Sequence, residues 1–184
     1  MTSHSAGARL LRGVREIDLQ TVIFFLGAAV FAFVAINDFR TRRIPNGFIV
    51  AILLLAALRM ALTGTPTGAL YTLLASAVVF VATFLLFWRG LLGGGDVKLI
   101  GATGLLIGYH DLFEFLFVMS ICGALMAVAI FAGDRLGLKP ISRPGTMPAE
   151  RDQQEPADRL TVPYGIAIAL AATFTLYVQS TFAG

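Results

Sequence analysis

The sequence predicts an all-α, polytopic membrane protein folded as a bundle of about six transmembrane helices. Hydrophobic residues make up 57% of its 184 residues and only 14% are charged, whereas a soluble domain averages about 25% charged residues. The apolar residues fall into six runs, separated by polar or glycine-containing segments. A chain of this length suits one compact bundle, so we expect a single membrane domain.

The length of each apolar run indicates how it meets the bilayer, since a helix needs roughly 20 apolar residues to cross the hydrocarbon core. The first, third, fifth and sixth runs are long enough, the second is a little short and the fourth is clearly short. The fourth run also contains Gly104 and Gly108, whose spacing permits close helix contact. We therefore expect the fourth helix inside the bundle. The runs lie at about residues 19–37, 48–62, 69–88, 97–109, 112–132 and 163–183.

Two segments differ in composition from the runs. Residues 1–18 form an N-terminal tail in which Leu10, Leu11, Val14 and Ile17 lie among three arginines, a pattern that favours an interfacial helix over part of it. Residues 19–183 then make up the six-helix membrane domain. Within it, residues 133–162 contain four prolines and dense mixed charge, which predicts a flexible loop.

The basic residues predict the orientation of the bundle. With six spans, the loops after the first, third and fifth lie on one side of the membrane, and both termini lie on the other. Cytoplasmic loops are enriched in Lys and Arg, so we expect these three loops to face the cytoplasm and the protein to lie in the cytoplasmic (inner) membrane. Ten basic residues lie on the loop side: Arg40, Arg42, Arg43, Arg89, Lys98, Arg135, Lys139, Arg143, Arg151 and Arg159. Four lie on the other: Arg9, Arg12, Arg15 and Arg59, the last of which can snorkel to the surface.

Cysteine and histidine usage argues against a metal site. Cys122 is the single cysteine and lies in an apolar run, so neither an intramolecular disulfide nor a Cys-x-x-Cys zinc site is available. His4 and His110 are far apart in the sequence. We therefore expect no metal and no other cofactor.

Two carboxylates stand at the ends of apolar runs on the predicted cytoplasmic side. Asp38 closes the first run and Asp96 opens the fourth, whereas Asp111 and Glu114 flank the fifth run on the opposite side. Carboxylates at membrane depth are costly and usually functional. Two that meet can share one proton, so that one activates water while the other polarises a carbonyl group. The alternative is that each simply caps a helix end or pairs with a nearby arginine.

Which aspartate would hold the shared proton is left open by the sequence. Asp96 begins a helix, where the dipole favours the anion, and Asp38 ends one, where it favours the proton. The arginines that follow Asp38 argue the other way.

Glycines precede Asp96 as Gly90 and the run Gly93, Gly94 and Gly95. Because glycine lacks a Cβ atom, such a run lets a peptide backbone approach closely and lets the local chain adopt positive φ. A plain flexible turn between the third and fourth helices is the alternative interpretation.

Three short motifs, taken together and in order, resemble those of the membrane aspartic peptidases that process prepilins and preflagellins. Residues 93–99 (GGGDVKL) are similar to the Gly-x-Gly-Asp signature of that family. Residues 38–46 (DFRTRRIPN) are similar to its first motif, an Asp followed by basic residues and Ile-Pro-Asn. Residues 162–165 (VPYG) are similar to the Pro-[Phe/Tyr]-Gly element that opens its last helix. The six-run pattern extends the resemblance over about residues 20–183.

The resemblance implies roles for particular residues. Asp38 and Asp96 match the two catalytic aspartates, Gly93 and Gly95 match the signature glycines, and Lys98 matches the lysine that usually follows. Residues implied to bind substrate or support the motifs are Gly93, Gly94, Gly95, Lys98, Arg42, Pro45, Asn46, Pro163 and Gly165.

The implied activity is removal of the short basic leader of a prepilin at the cytoplasmic membrane face, after a glycine. The chain lacks the paired Cys-x-x-Cys region of the larger bifunctional members. It therefore resembles the compact branch that serves Tad/Flp-type pili, which argues against methyltransferase activity. The implied partners are prepilin or pseudopilin substrates, the lipid bilayer and other pilus-assembly proteins, and we expect no nucleic acid.

Two other functions are consistent with parts of the pattern. A related peptidase could act on preflagellin-like or sugar-binding-protein precursors. A small proton- or cation-coupled transporter, or a pilus-assembly scaffold, could instead use the aspartates to bind a cation. Coupled transporters tend to carry internal repeats and polar groups at the membrane midplane, whereas this sequence shows no repeat and places both aspartates at helix ends.

Overall fold

The computed structural model of the protein describes residues 3–41, 44–63, 65–135 and 164–182. Within these ranges the chain is all-helical, with no strand, as the sequence predicts. Residues 136–163, which contain nearly all of the expected flexible loop, lie outside the described residues. The six helices are α1 (Ser3–Thr41), α2 (Asn46–Thr63), α3 (Pro66–Trp88), α4 (Gly94–Ile107), α5 (Leu112–Arg135) and α6 (Tyr164–Phe182).

Length and apolar character together separate the helices that could cross a membrane unaided from the others, and within the described residues α6, whose run was expected to be long enough, is not among the former. Among the described residues three helical segments are long and apolar enough to span a bilayer: Gln20–Thr41, Pro66–Trp88 and Leu112–Ala132. The apolar part of α2, Asn46–Leu62, is shorter. Helix α1 begins at Ser3, so residues 3–18 of the expected N-terminal tail are helical and continuous with the first apolar run.

Helix α4 forms the centre of the bundle. It has 14 residues, nine of which are buried, and it packs against α2, α3, α5 and α6. At about 1.5 Å rise per residue it is too short to cross a bilayer alone. Because its neighbours surround it, the length of α4 does not expose polar backbone to lipid. The expected interior position of the fourth helix is therefore confirmed.

The glycines of α4 allow α3 to approach closely. A Cβ atom placed on Gly101 would lie 2.9 Å from the Phe80 ring, and one on Gly104 would lie 3.2 Å from the Ser76 hydroxyl. Since 2.9 Å is closer than real Cβ contacts, alanine at Gly101 would force the Phe80 ring to move. Small residues at a helix contact let backbones approach in this way. The close contact expected at Gly104 is thus present, and Gly101 extends it along α4.

Helix α1 places its buried side chains along one stripe. Phe31, Val34 and Asp38 follow one another at spacings of three and four residues, which puts them on the same helical face. All three are buried, and α1 packs along α6 and α2. The apolar stripe therefore ends in a carboxylate that points into the bundle.

Candidate active site

Asp38 lies in the last turns of α1 and is only 5% exposed. The first turn of α6 packs directly against it. A Cβ atom placed on Gly165 would lie 2.7 Å from Oδ2 and 2.8 Å from Cγ of Asp38. Side chains do not tolerate such distances, so only glycine fits here without displacing the carboxylate. The structure thus brings together two residues that are 127 positions apart in the sequence.

Asp96 lies in the first turn of α4, and Gly93 is the N-cap of that helix. The Asp96 carboxylate accepts a hydrogen bond from the backbone N–H of Gly93. A side chain at the third helical position that reaches back to the N-cap N–H is one half of a capping box. Asp96 therefore caps its own helix, and this bond fixes its carboxylate at the end of α4 nearest Asp38.

Asp96 precedes the apolar segment 97–109, yet it is poorly solvated. Burial and the negative charge of Asp38 together raise the pKa of Asp96 to about 6, burial having the larger effect, although the Gly93 hydrogen bond acts in the opposite direction. An electrostatic effect of Asp38 on Asp96 requires the two carboxylates to be near neighbours. The helix ends that the sequence placed on one side of the membrane are thus close together in the fold.

The glycine run differs from the expected turn with positive φ. Gly93 has φ −76° and ψ 144°, and Gly94 and Gly95 already belong to α4. Only Gly90 in this stretch has positive φ, at 72°. Small size is instead what the run supplies, because each glycine contacts a neighbouring side chain. A Cβ atom on Gly93 would lie 2.9 Å from Asp96 Oδ2, one on Gly94 3.3 Å from the Phe87 ring, and one on Gly95 3.4 Å from Ile44 Cβ.

The remaining motif residues that the structure describes lie at the start of α2 and in α4, two positions after Asp96. The Pro45 carbonyl accepts a hydrogen bond of 3.1 Å from the Phe48 N–H, and Asn46 begins α2. Pro45, Asn46 and Lys98 are exposed. Arg42 and Pro163 fall outside the described residues, so the structure does not address their expected roles.

The sequence model of the Type IV leader peptidase family matches residues 24–128, more than half of the chain. The protein belongs to the type IV leader peptidase family. The match includes both Asp38 and Asp96 and ends before α6, so the Gly165 contact comes from the structure alone. Comparisons with curated proteins and with solved structures give no significant match. The family membership and the apolar helices together make the chain a membrane-bound peptidase of prepilin-type precursors.

One polar cluster in this leader peptidase was not anticipated from the sequence. At the end of α4 far from Asp96, Arg59 of α2 donates hydrogen bonds to the carbonyl oxygens of Leu106 and Ile107. Gln179 of α6 donates to the Ile107 carbonyl and to the Asp111 carboxylate. Arg59 is therefore engaged within the bundle and does not simply snorkel. The available signal was an arginine near the end of an apolar run, which is costly unless it is paired.

Proposed function

We propose that this leader peptidase is an aspartic endopeptidase that removes the basic leader of Tad/Flp-like prepilins at the cytoplasmic face of the inner membrane. The observation that carries the proposal is the approach of two carboxylates, Asp38 from α1 and Asp96 from α4, at one end of the bundle. Two acidic groups in one poorly solvated site share a proton more readily than they both ionise. That state supplies a base and an acid at once.

In the proposed reaction the ionised carboxylate takes a proton from a water molecule while the water oxygen attacks the scissile carbonyl carbon. The protonated carboxyl group donates to the carbonyl oxygen, which carries the developing negative charge. The C–N bond then breaks: the leaving amine takes the proton that the first carboxylate gained from water, and a hydroxyl of the tetrahedral intermediate returns its proton to the second carboxylate as the new carbonyl forms. Both carboxylates return to their starting forms, so no cofactor is consumed.

The raised pKa of Asp96 supports a site in which one proton is held between the two carboxylates. The two groups titrate as a pair, so the proton belongs to the site as a whole during the reaction.

The pH dependence of cleavage tests the shared proton. Because the pKa of Asp96 is raised to about 6, the free enzyme loses that proton as the pH rises through about 6, and kcat/KM should fall above that value. A bound peptide excludes more water, so the corresponding limb of kcat should lie at higher pH. Cleavage of a prepilin peptide in detergent, measured from pH 4.5 to 8.5, gives both profiles. A kcat/KM that rises steadily across pH 5–8 would contradict a requirement for the proton.

The orientation is tested by cysteine labelling. Residues 39–46, 89–96 and 133–162 should face the cytoplasm because the loop side holds ten of the 14 basic residues. Single cysteines at Thr41, Gly90 and Thr146, in a Cys122→Ser background, should react with an impermeant maleimide only after the cells are opened. Labelling of all three sites in intact cells would show that these residues face the outside, which is the opposite of the proposed topology.

The activity itself is tested with purified protein and synthetic leader peptides in detergent. A Tad/Flp-type prepilin peptide should be cut after the glycine that ends its basic leader. A preflagellin-like peptide of matched length and charge serves as the comparison. Faster cleavage of that second peptide would keep the aspartic mechanism but reassign the substrate class.

A further inference from the structure

The end of α4 opposite Asp96 is held by side chains from two other helices. Arg59 of α2 donates from Nη1 to the Leu106 carbonyl and, at 2.9 Å, to the Ile107 carbonyl. Gln179 of α6 donates to the same Ile107 carbonyl at 2.9 Å and also to the Asp111 carboxylate. We call Arg59, Gln179 and Asp111 the α4 clamp.

The clamp satisfies groups that would otherwise be unpaired. The last carbonyl oxygens of an α-helix have no partner within the helix and carry partial negative charge. Arg59 brings a full positive charge to them, and hydrogen bonds with an ionised donor are roughly twice as strong as neutral ones. The chain then leaves α4 through Gly108 at φ 90°, and the Tyr109 N–H donates to the Thr72 hydroxyl of α3 at 3.4 Å. Three helices thus restrain the end of α4.

Asp96 and the clamp are connected by one rigid element. Ile107 follows Asp96 by eleven positions, which corresponds to about 16 Å along a continuous α-helix. The glycine face of α4 packs closely on α3, with the Phe80 ring against Gly101. The N-cap residue Gly93 has no side chain with which to anchor the other end. Among the described residues, the clamp therefore supplies polar contacts at the far end of α4 that oppose its sliding or rotation between its neighbours.

We propose that the α4 clamp, with Arg59 as its central member, is a positioning device that sets the location of Asp96 relative to Asp38. This inference rests on the proposed role of the two aspartates. Catalytic groups must be held within about 0.5 Å of their productive geometry. A shift of α4 along its axis moves Asp96 by the same distance, while Asp38 stays on α1. Arg59 lies far from the chemistry and acts only through the helix.

Arg59→Met tests the clamp because methionine keeps an unbranched apolar stem but removes every donor. The Arg59 side chain borders a cavity of about 250 Å³, so a methionine side chain at this position can change conformation without clashing with its neighbours. We expect kcat to fall by about 10- to 100-fold with KM little changed, since misplacement of a catalytic group by about 1 Å costs that much. Arg59→Lys, which retains a charged donor, should recover part of the loss.

Two readouts distinguish positioning from simple loss of folded protein. Moving Asp96 away from Asp38 weakens the effect of the Asp38 charge and so lowers the pKa of Asp96. The fall of kcat/KM with rising pH should therefore begin at lower pH in Arg59→Met than in the wild type. A smaller folded fraction would lower kcat without moving that limb. Spin labels on cysteines at Arg40 and Lys98, both exposed, report the α1–α4 distance in a Cys122→Ser background. Their distance distribution should broaden in Arg59→Met.

The matched control is Arg135→Met, the same substitution at an exposed arginine in the last turn of α5. It should leave kcat, the pH limb and the distance distribution unchanged. If Arg59→Met does not insert, Gln179→Met removes the α6 arm of the clamp without removing a charge, and should broaden the same distribution. The distance readout does not depend on peptidase activity, so it tests the clamp even if no peptide is cut. An unchanged distribution in both variants would overturn the proposal.

Discussion

Asn in place of either Asp38 or Asp96 is expected to abolish leader cleavage while the protein remains inserted in the membrane. An amide can neither take a proton from water nor donate one as a carboxyl group does. Loss of general acid–base assistance alone typically costs about 10²- to 10⁴-fold, and loss of the water-activating pair should cost at least as much. The measurement is the single-turnover rate on a prepilin peptide, with membrane insertion checked by fractionation.

The controls for the aspartate pair come from the same chain. Asp→Glu at either position should also fail, because one added methylene moves the carboxylate beyond the tolerance of such a site. Glu114→Gln should retain activity, since Glu114 lies in the first turn of α5 at the opposite end of the bundle. Asp111 is a poor control because it accepts a hydrogen bond from Gln179. Full cleavage by an Asp38→Asn or Asp96→Asn protein would leave two helix-capping aspartates and no catalytic pair.

Gly165→Ala is expected to have the second largest effect, although it adds a single methyl group. The new Cβ would lie 2.7 Å from Oδ2 and 2.8 Å from Cγ of Asp38, so either the Asp38 carboxylate or the start of α6 must move. Displacing a catalytic group by about 1 Å costs on the order of 10²-fold in rate. We expect kcat to fall by about this factor, with the protein still inserted.

Gly47→Ala is the matched control for Gly165→Ala. A Cβ on Gly47 meets no atom within 4 Å, and Gly47 lies at the start of α2. Alanine there should leave cleavage unchanged and is favoured over glycine in a helix by up to about 1 kcal/mol. Gly95→Ala, whose Cβ would lie 3.4 Å from Ile44, should fall between the two. Wild-type cleavage by Gly165→Ala would mean that the Asp38 carboxylate is not held where the reaction needs it.

Several features of the site were predictable because they depend on local sequence. Asp38 and Asp96 each stand at the boundary of an apolar run, and counting spans places both boundaries on one side of the membrane. The short fourth run predicted an interior helix, because a helix that cannot cross the bilayer needs protein around it. The structure confirms the interior position of α4.

Other features were not predictable because they depend on contacts between distant segments. The glycine run was expected to leave room beside Asp96 and to permit positive φ, but not to be helical; Gly94 and Gly95 belong to α4, with Phe87 and Ile44 lying against them. Arg59 was expected to reach the membrane surface, yet it bonds the carbonyl end of α4. In both cases the residue type was visible in the sequence, whereas its partner, up to 51 positions away, was not.

The sequence by itself determined the fold class and the membrane environment, since both follow from the amount and spacing of apolar residues. It also determined which carboxylates stand at helix ends. Only the tertiary structure decided that Gly165 packs against the buried Asp38. It also decided that the charge of Asp38 affects the pKa of Asp96, and that side chains of α2 and α6 bond the far end of α4. The physical reason is that burial, electrostatic coupling and steric fit are set by atoms a few ångströms away, and in a helical bundle those atoms belong to other helices.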